Sequence, residues 1–166
     1  MGLGLSCISS IISTGIANQI VLAQANQQQK CDIAAYVNDK DAKGLNVRNG
    51  AGTNNTVLGQ IPGNETVKVL AASGNWAQIN NVGSGFKGTG WVYLPMLGLS
   101  TRGYGTKGVD IYVNANPKSK KVKRIPASTT VKLLGCQGEW AHVEYQGIKG
   151  WLAKPDQCAA ALTSCS

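Results

Sequence analysis

The sequence has one histidine, His142, one phenylalanine and only eight carboxylate side chains in 166 residues. A zinc site needs several His, Cys or carboxylate ligands. A cysteine hydrolase needs a histidine base within reach of its nucleophile. A glycosidase needs two carboxylates flanking a cleft. A single histidine, no C-x-x-C spacing and few acids offer no such constellation. His142 sits in an alternating run with the parity of Trp140 and Glu144, opposite to Ala141 and Val143, and is expected to face solvent from a strand. The stretch Gly103-Tyr104-Gly105 lacks the strand-then-helix context of a phosphate loop. No catalytic residue, metal site or cofactor is predicted. Helical periodicity is also missing, as is any run beyond residue 25 that is apolar and long enough to span a bilayer.

The first 25 residues carry no charge at all. They hold a broken apolar stretch from Ile8 to Leu22 and end in Ala23-Gln24-Ala25, the small-x-small form of a signal-peptide cleavage site. The expected organisation starts with a signal peptide at 1–25 and a short linker at 26–33. The protein is therefore expected to be secreted or periplasmic. Cys7 would leave with the signal. Cys31, Cys136, Cys158 and Cys165 remain, an even number suited to two disulfides. Spacing does not choose among the three pairings, but locality favours Cys136 with Cys158 and leaves Cys31 for Cys165.

The formal net charge is +8 and unevenly spread. Residues 26–98 hold six bases and four acids, whereas residues 99–166 hold ten bases and four acids. The excess centres on Lys118, Lys120, Lys121, Lys123 and Arg124. Such a run is either a solvated loop or a patch that attracts an anionic polymer.

The dominant feature is an internal repeat. At an offset of 64, Leu45-Asn46-Val47 meets Val109-Asp110-Ile111, and Ile61-Pro62 meets Ile125-Pro126. Thr66–Leu70 likewise meets Thr130–Leu134, and Gly74–Ile79 meets Gly138–Val143. The offset then falls to 60, so Gly90-Trp91-Val92 meets Gly150-Trp151-Leu152, and the first copy has the longer loop from Asn80 to Thr89. All four tryptophans occupy matching places.

Within each copy apolar residues alternate with polar ones, as in Leu45/Val47, Val67/Val69 and Ala77/Ile79. That period of two marks strands with one buried face. Gly, Asn, Pro and Ser punctuate the runs. Five or six short strands in about 60 residues bury a face by curling into a small closed or partly open barrel. The fold class is all-β: two tandem small barrels after the signal segment.

The residues Leu45-Asn46-Val47-Arg48-Asn49-Gly50-Ala51-Gly52 resemble the L-N-V-R-x-G-P-x signature of bacterial SH3 (SH3b) domains. Gly59–Gly63, Asn75–Ile79 and Gly88–Val92 resemble the turn, W-x-x-V and G-x-x-G-W-V elements of that family. The resemblance assigns 34–97 to a first SH3-like domain and 98–157 to a divergent second one, with a cysteine-bearing tail at 158–166. In the second copy Val109–Asn114 replaces the signature and Tyr112 stands where the first has Arg48. The resemblance implies a location outside the cytoplasmic membrane and binding of peptidoglycan peptides, commonly beside cell-wall hydrolases.

Parity sends Arg48, Trp76, Trp91 and Tyr93 to the solvent side of the first sheet, beside Asn49. An aromatic face with a few polar groups suits a peptide or sugar. Arg48 has two readings, as a fork for a ligand carboxylate or as a brace for the Asn49-Gly50 turn. The expected function is a non-catalytic module whose partner is a cell-wall peptide or a surface protein. The alternatives are a basic barrel binding an anionic polymer through Lys118–Arg124, or a structural interaction domain. The export signal argues against nucleic acid as that polymer.

Overall fold

The structure is a computed structural model that describes residues 28–163 and 165. The expected signal peptide, with Cys7, lies outside the described residues. The regular structure is thirteen strands and two short 3-10 turns. The first half contains β1 (Gln29–Val37), β2 (Leu45–Arg48), β3 (Val57–Ile61), β4 (Thr66–Ser73), β5 (Trp76–Asn81) and β6 (Gly88–Tyr93). A 3-10 turn at Leu94–Met96 leads to β7 (Leu97–Thr101). The second half contains β8 (Gly108–Tyr112), β9 (Lys121–Pro126), β10 (Thr130–Gln137), β11 (Trp140–Tyr145) and β12 (Ile148–Ala153). A second turn at Lys154–Asp156 leads to β13 (Gln157–Cys158).

The repeat in sequence is a repeat in register. Leu45 faces Ile61 across β2 and β3, and Val109 faces Ile125 across β8 and β9. The β4–β5 ladder slips between Val69 and Ala71, and the β10–β11 ladder slips between Leu133 and Gly135, 64 residues on. A bulge bends a strand and increases its twist, so the same kink recurs in both halves. Gly74 and Gly138, at φ +54° and +55°, turn the two matching hairpins. Alternation holds as expected: Val47, Ala77, Ile79, Val92, Ile111, Ala141, Val143 and Leu152 are fully buried.

The two copies do not form separate closed barrels. Their strands make one continuous open sheet in the order β3-β2-β6-β5-β4-β1-β7-β10-β11-β12-β8-β9, with β13 on β7. The reason is that β7 serves both halves. It pairs with β1 through Leu97–Val37, as the last strand of the first half. It also pairs with β10 through Leu99–Val131 and with β13 through Gln157–Thr101, as the first strand of the second half. A boundary at 97/98 therefore falls inside a shared strand. Residues 29–33, read as linker, lie in β1, and Cys158, read as tail, lies in β13. One cluster of buried side chains runs through both halves.

The cysteine pairing favoured from locality is corrected. Cys31 bonds Cys136, with Cα atoms 5.6 Å apart, and Cys158 bonds Cys165. Pairing Cys136 with Cys158 fails because β1 runs alongside the β10–β11 turn. There Asp32 N donates to Gly138 O at 2.7 Å and Gly138 N donates to Lys30 O at 2.8 Å. This brings Cys31 to Cys136, so the first disulfide ties the halves together. An ion-pair network reinforces the junction. Lys154 reaches Asp32 at 2.7 Å and Glu139 at 3.0 Å, and Lys68 reaches Asp32 at 3.0 Å. The Lys154 and Lys68 ammonium groups hold the Asp32 carboxyl below its usual range.

Close approach requires glycine at one repeated place. A Cβ on Gly90 would run into Val47 Cγ1 and stand 3.1 Å from the Arg48 carbonyl oxygen. On Gly150 it would meet Ile111 Cδ1 at 2.9 Å. Gly90→Ala is expected to destabilise the fold by about 1–3 kcal/mol, the usual cost of overpacking. Urea unfolding measures this, and an unchanged midpoint would refute it.

Candidate functional site

The two ends of the first-half site are built by different devices. Arg48 ends β2, and its Nη1 donates to Thr53 O at 2.9 Å and to Asn55 O at 2.7 Å. The guanidinium therefore braces the loop between β2 and β3. Among the described residues its Nε and Nη2 have no protein partner, so those donors remain for a ligand. The two readings of Arg48 are compatible in this geometry. Trp76 begins β5 and Tyr93 ends β6, facing it across the ladder. Their rings meet edge to face with centroids 5.8 Å apart.

These three side chains line one cavity of about 230 Å³ together with Asp39, Leu45, Asn46 and Thr53. Sequence reasoning missed Asp39, which lies in the β1–β2 loop. Its Oδ1 accepts a hydrogen bond from Asp41 N at 2.9 Å. The only signal for it was its place in a polar loop just ahead of the L-N-V-R run. One carboxylate and one guanidinium thus share a cavity walled by two aromatic rings. Trp91 and Asn49 do not line it. Trp91 faces Arg48 across β2 and β6 and is half-buried on the same side of the sheet. Asn49 is exposed and donates its backbone N–H to Thr56 O at 3.0 Å.

The basic run is largely tied down. Lys121 and Arg124 share Asp110, at 2.7 and 3.5 Å. The hydrogen bond to Asp110 holds the Lys121 ammonium above its usual pKa. Lys123 donates to Gln146 Oε1 at 3.0 Å and lies over the Tyr145 ring at 5.5 Å. Lys118 and Lys120 are exposed in the β8–β9 loop and have no ion-pair partner among the described residues. The run is therefore two free lysines beside three engaged bases.

In the second half, Tyr112 holds the position of Arg48 and Ala153 that of Tyr93. The aromatic pair is rebuilt from the other side: the Tyr112 and Trp140 rings meet edge to face at 5.7 Å. His142 stacks on Trp151 at 4.7 Å and an interplanar angle of 21°. It is half-buried, not freely exposed, and that burial, with Lys149 nearby, pushes its pKa down. A histidine that resists protonation in the folded state stabilises the fold above its unfolded pKa, near 6.5. That stability is lost as pH falls through the lower folded value. His142→Gln, the residue at the matching position 78, is expected to flatten the fall of the thermal midpoint as pH drops below about 6.5. An unchanged slope would show that His142 does not contribute.

Among the described residues no helix is long and apolar enough to cross a membrane. No group of three His, Cys, Asp or Glu side chains among them is placed to hold a metal ion.

A curated protein of Bacillus subtilis (strain 168), YrvJ, assigned as an N-acetylmuramoyl-L-alanine amidase, is 26% identical. The match covers 66% of this chain and 24% of that protein, so the chain spans about a quarter of that relative's length. Among solved structures, NlpC2 and NlpC1 of Trichomonas vaginalis align at 14% and 12% identity with TM-scores of 0.33 and 0.32. Each alignment covers 80% of this chain and 48% of the other. The family model for the bacterial SH3 domain matches residues 43–95 and again 107–156. These two matches fall on the two halves of the repeat and take in most of the chain, which belongs to the bacterial SH3 domain family.

Proposed function

We propose that this protein is an extracytoplasmic, non-catalytic binding module that recognises cell-wall peptides through the groove of its first half. The observation that carries this is the shared cavity: Arg48, Asp39, Trp76 and Tyr93 converge on about 230 Å³. A short peptide with a free carboxylate and a free amine would place one on the Arg48 donors and the other on Asp39. Its backbone would lie against the two rings. The similarity to an assigned wall amidase, over a quarter of that protein, supports a wall context. Two disulfides support an oxidising compartment. The single histidine and sparse carboxylates support a binding role over catalysis.

The test is co-sedimentation of the purified chain with insoluble peptidoglycan sacculi across a salt series. Retention that persists at high salt is expected for groove recognition. Retention that disappears with salt would replace this reading by electrostatic attachment through the lysine-rich loop.

A further inference from the structure

The outward face of the shared strand β7 carries a cavity of its own. β1, β7 and β10 run side by side there, and Tyr36, Gly98 and Lys132 stand in one rank across them. Tyr36 lays its ring over β7: a Cβ on Gly98 would run into ring atoms Cε2 and Cζ and stand 2.8 Å from Oη. Glycine at 98 therefore lets the ring cross, and its hydroxyl ends beside the next rank, where Ser100 faces Thr130. Ser128, held at φ +55° in the turn between β9 and β10, adds a further hydroxyl. The chain after β13 supplies the opposite wall. Thr66 Oγ1 donates to Ala159 O at 2.9 Å, and the Cys158–Cys165 bridge closes the loop that follows. Residues 160–163 are thus held at both ends and border a cavity of about 280 Å³ with Tyr36, Ser100, Ser128 and Thr130.

Tyr36 is only 7% exposed. Its hydroxyl makes no hydrogen bond to any described residue and opens into the cavity instead. A hydroxyl so enclosed takes its partner from outside the chain. The Ser100 and Thr130 hydroxyls stand 3.5 Å apart, a weak contact that leaves both able to turn to a ligand. Among the described residues no charged side chain lines the cavity, so an ion would find no counter-charge there. Each hydroxyl both donates and accepts. The wall therefore suits an uncharged ligand whose own groups do both, which is the property of sugar hydroxyls. An extended peptide would need a free strand edge or pockets for alternate side chains. The volume lies near the lower bound of about 300 Å³ for small-molecule sites, which limits the occupant to about one or two sugar rings.

We propose that this seam between the halves is a binding site for a neutral sugar, whose hydroxyls exchange hydrogen bonds with Tyr36, Ser128, Ser100 and Thr130. It shares no lining residue with the first-half groove and does not rest on that groove's function. The test is titration of the nitrogen-15-labelled full chain, followed by amide shifts. The neutral probes are tri-N-acetylglucosamine and maltotriose, and the charged probes are trigalacturonate and triglucosamine. Saturable shifts at residues 100, 128–130 and 160–163 are expected with at least one neutral sugar, and binding about tenfold weaker or less with the charged ones. Tyr36→Phe removes only the unpartnered hydroxyl. It is expected to weaken binding by about fivefold to tenfold and to leave the thermal midpoint unchanged. Ser128→Gly keeps the positive φ without strain and is expected to weaken binding by about as much. Trp76→Ala is expected to leave sugar binding unchanged. No shifts with either neutral sugar, equal or tighter binding of the charged sugars, or indifference to both Tyr36→Phe and Ser128→Gly would overturn the proposal. Its failure would leave retention on sacculi, and its loss in Trp76→Ala, untouched.

Discussion

Replacing Cys31 and Cys136 together by alanine is expected to lower the thermal midpoint by about 10–15 °C, the largest stability effect of any disulfide change in this protein. The two cysteines are 105 residues apart in sequence. A link of that span restricts the unfolded chain strongly: the loop-closure relation gives about 4.7 kcal/mol. For Cys158 and Cys165, separated by 7, the same relation gives about 2.5 kcal/mol. That bridge also fastens only the end of the chain, whereas the first joins β1 of one half to β10 of the other. Calorimetry of the two double variants compares them directly. The order matters more than the absolute values: a larger loss from Cys158→Ala with Cys165→Ala would show that the halves are held by the shared sheet and core, with the long bridge contributing little.

Trp76→Ala is expected to reduce retention on peptidoglycan sacculi by about thirtyfold, corresponding to about 2 kcal/mol for an aromatic anchor in a binding cavity. Its cost to stability should be smaller, about 1–2 kcal/mol, because the ring is half-buried and its main aromatic partner is Tyr93. The separation of the two effects is what distinguishes a ligand contact from a core residue. Retention measured beside urea unfolding reads both. Full retention with a large loss of stability would place Trp76 among the residues that merely cover the end of the core. Arg48→Ala tests the same groove less cleanly, since the side chain also braces Thr53 and Asn55.

Much of this architecture is legible in the chain because β-structure writes itself locally. The period of two in Leu45/Val47 and Ala77/Ile79 marks the buried faces, and these residues are buried. The same parity sent Trp76 and Tyr93 outward, and both line the cavity. Asp39 escaped notice because a loop has no period, and its position follows from how β1 and β2 meet. Tyr112 was visible as a substitution for arginine, but its contact with Trp140 depends on the register of β8 against β12, which no local pattern encodes.

The sequence by itself determined the two copies, their strands, their inward and outward faces and the family to which they belong. Each of these is a property of neighbouring residues or of similarity between segments. Only the tertiary structure decided that the copies share β7, that Cys31 meets Cys136, and that Tyr112 meets Trp140 edge to face. The physical reason is that these features join residues far apart in sequence. A strand's two edges can each accept a partner, and nothing in the strand's own residues specifies which partner comes. That choice is made by the packing of both halves on one core.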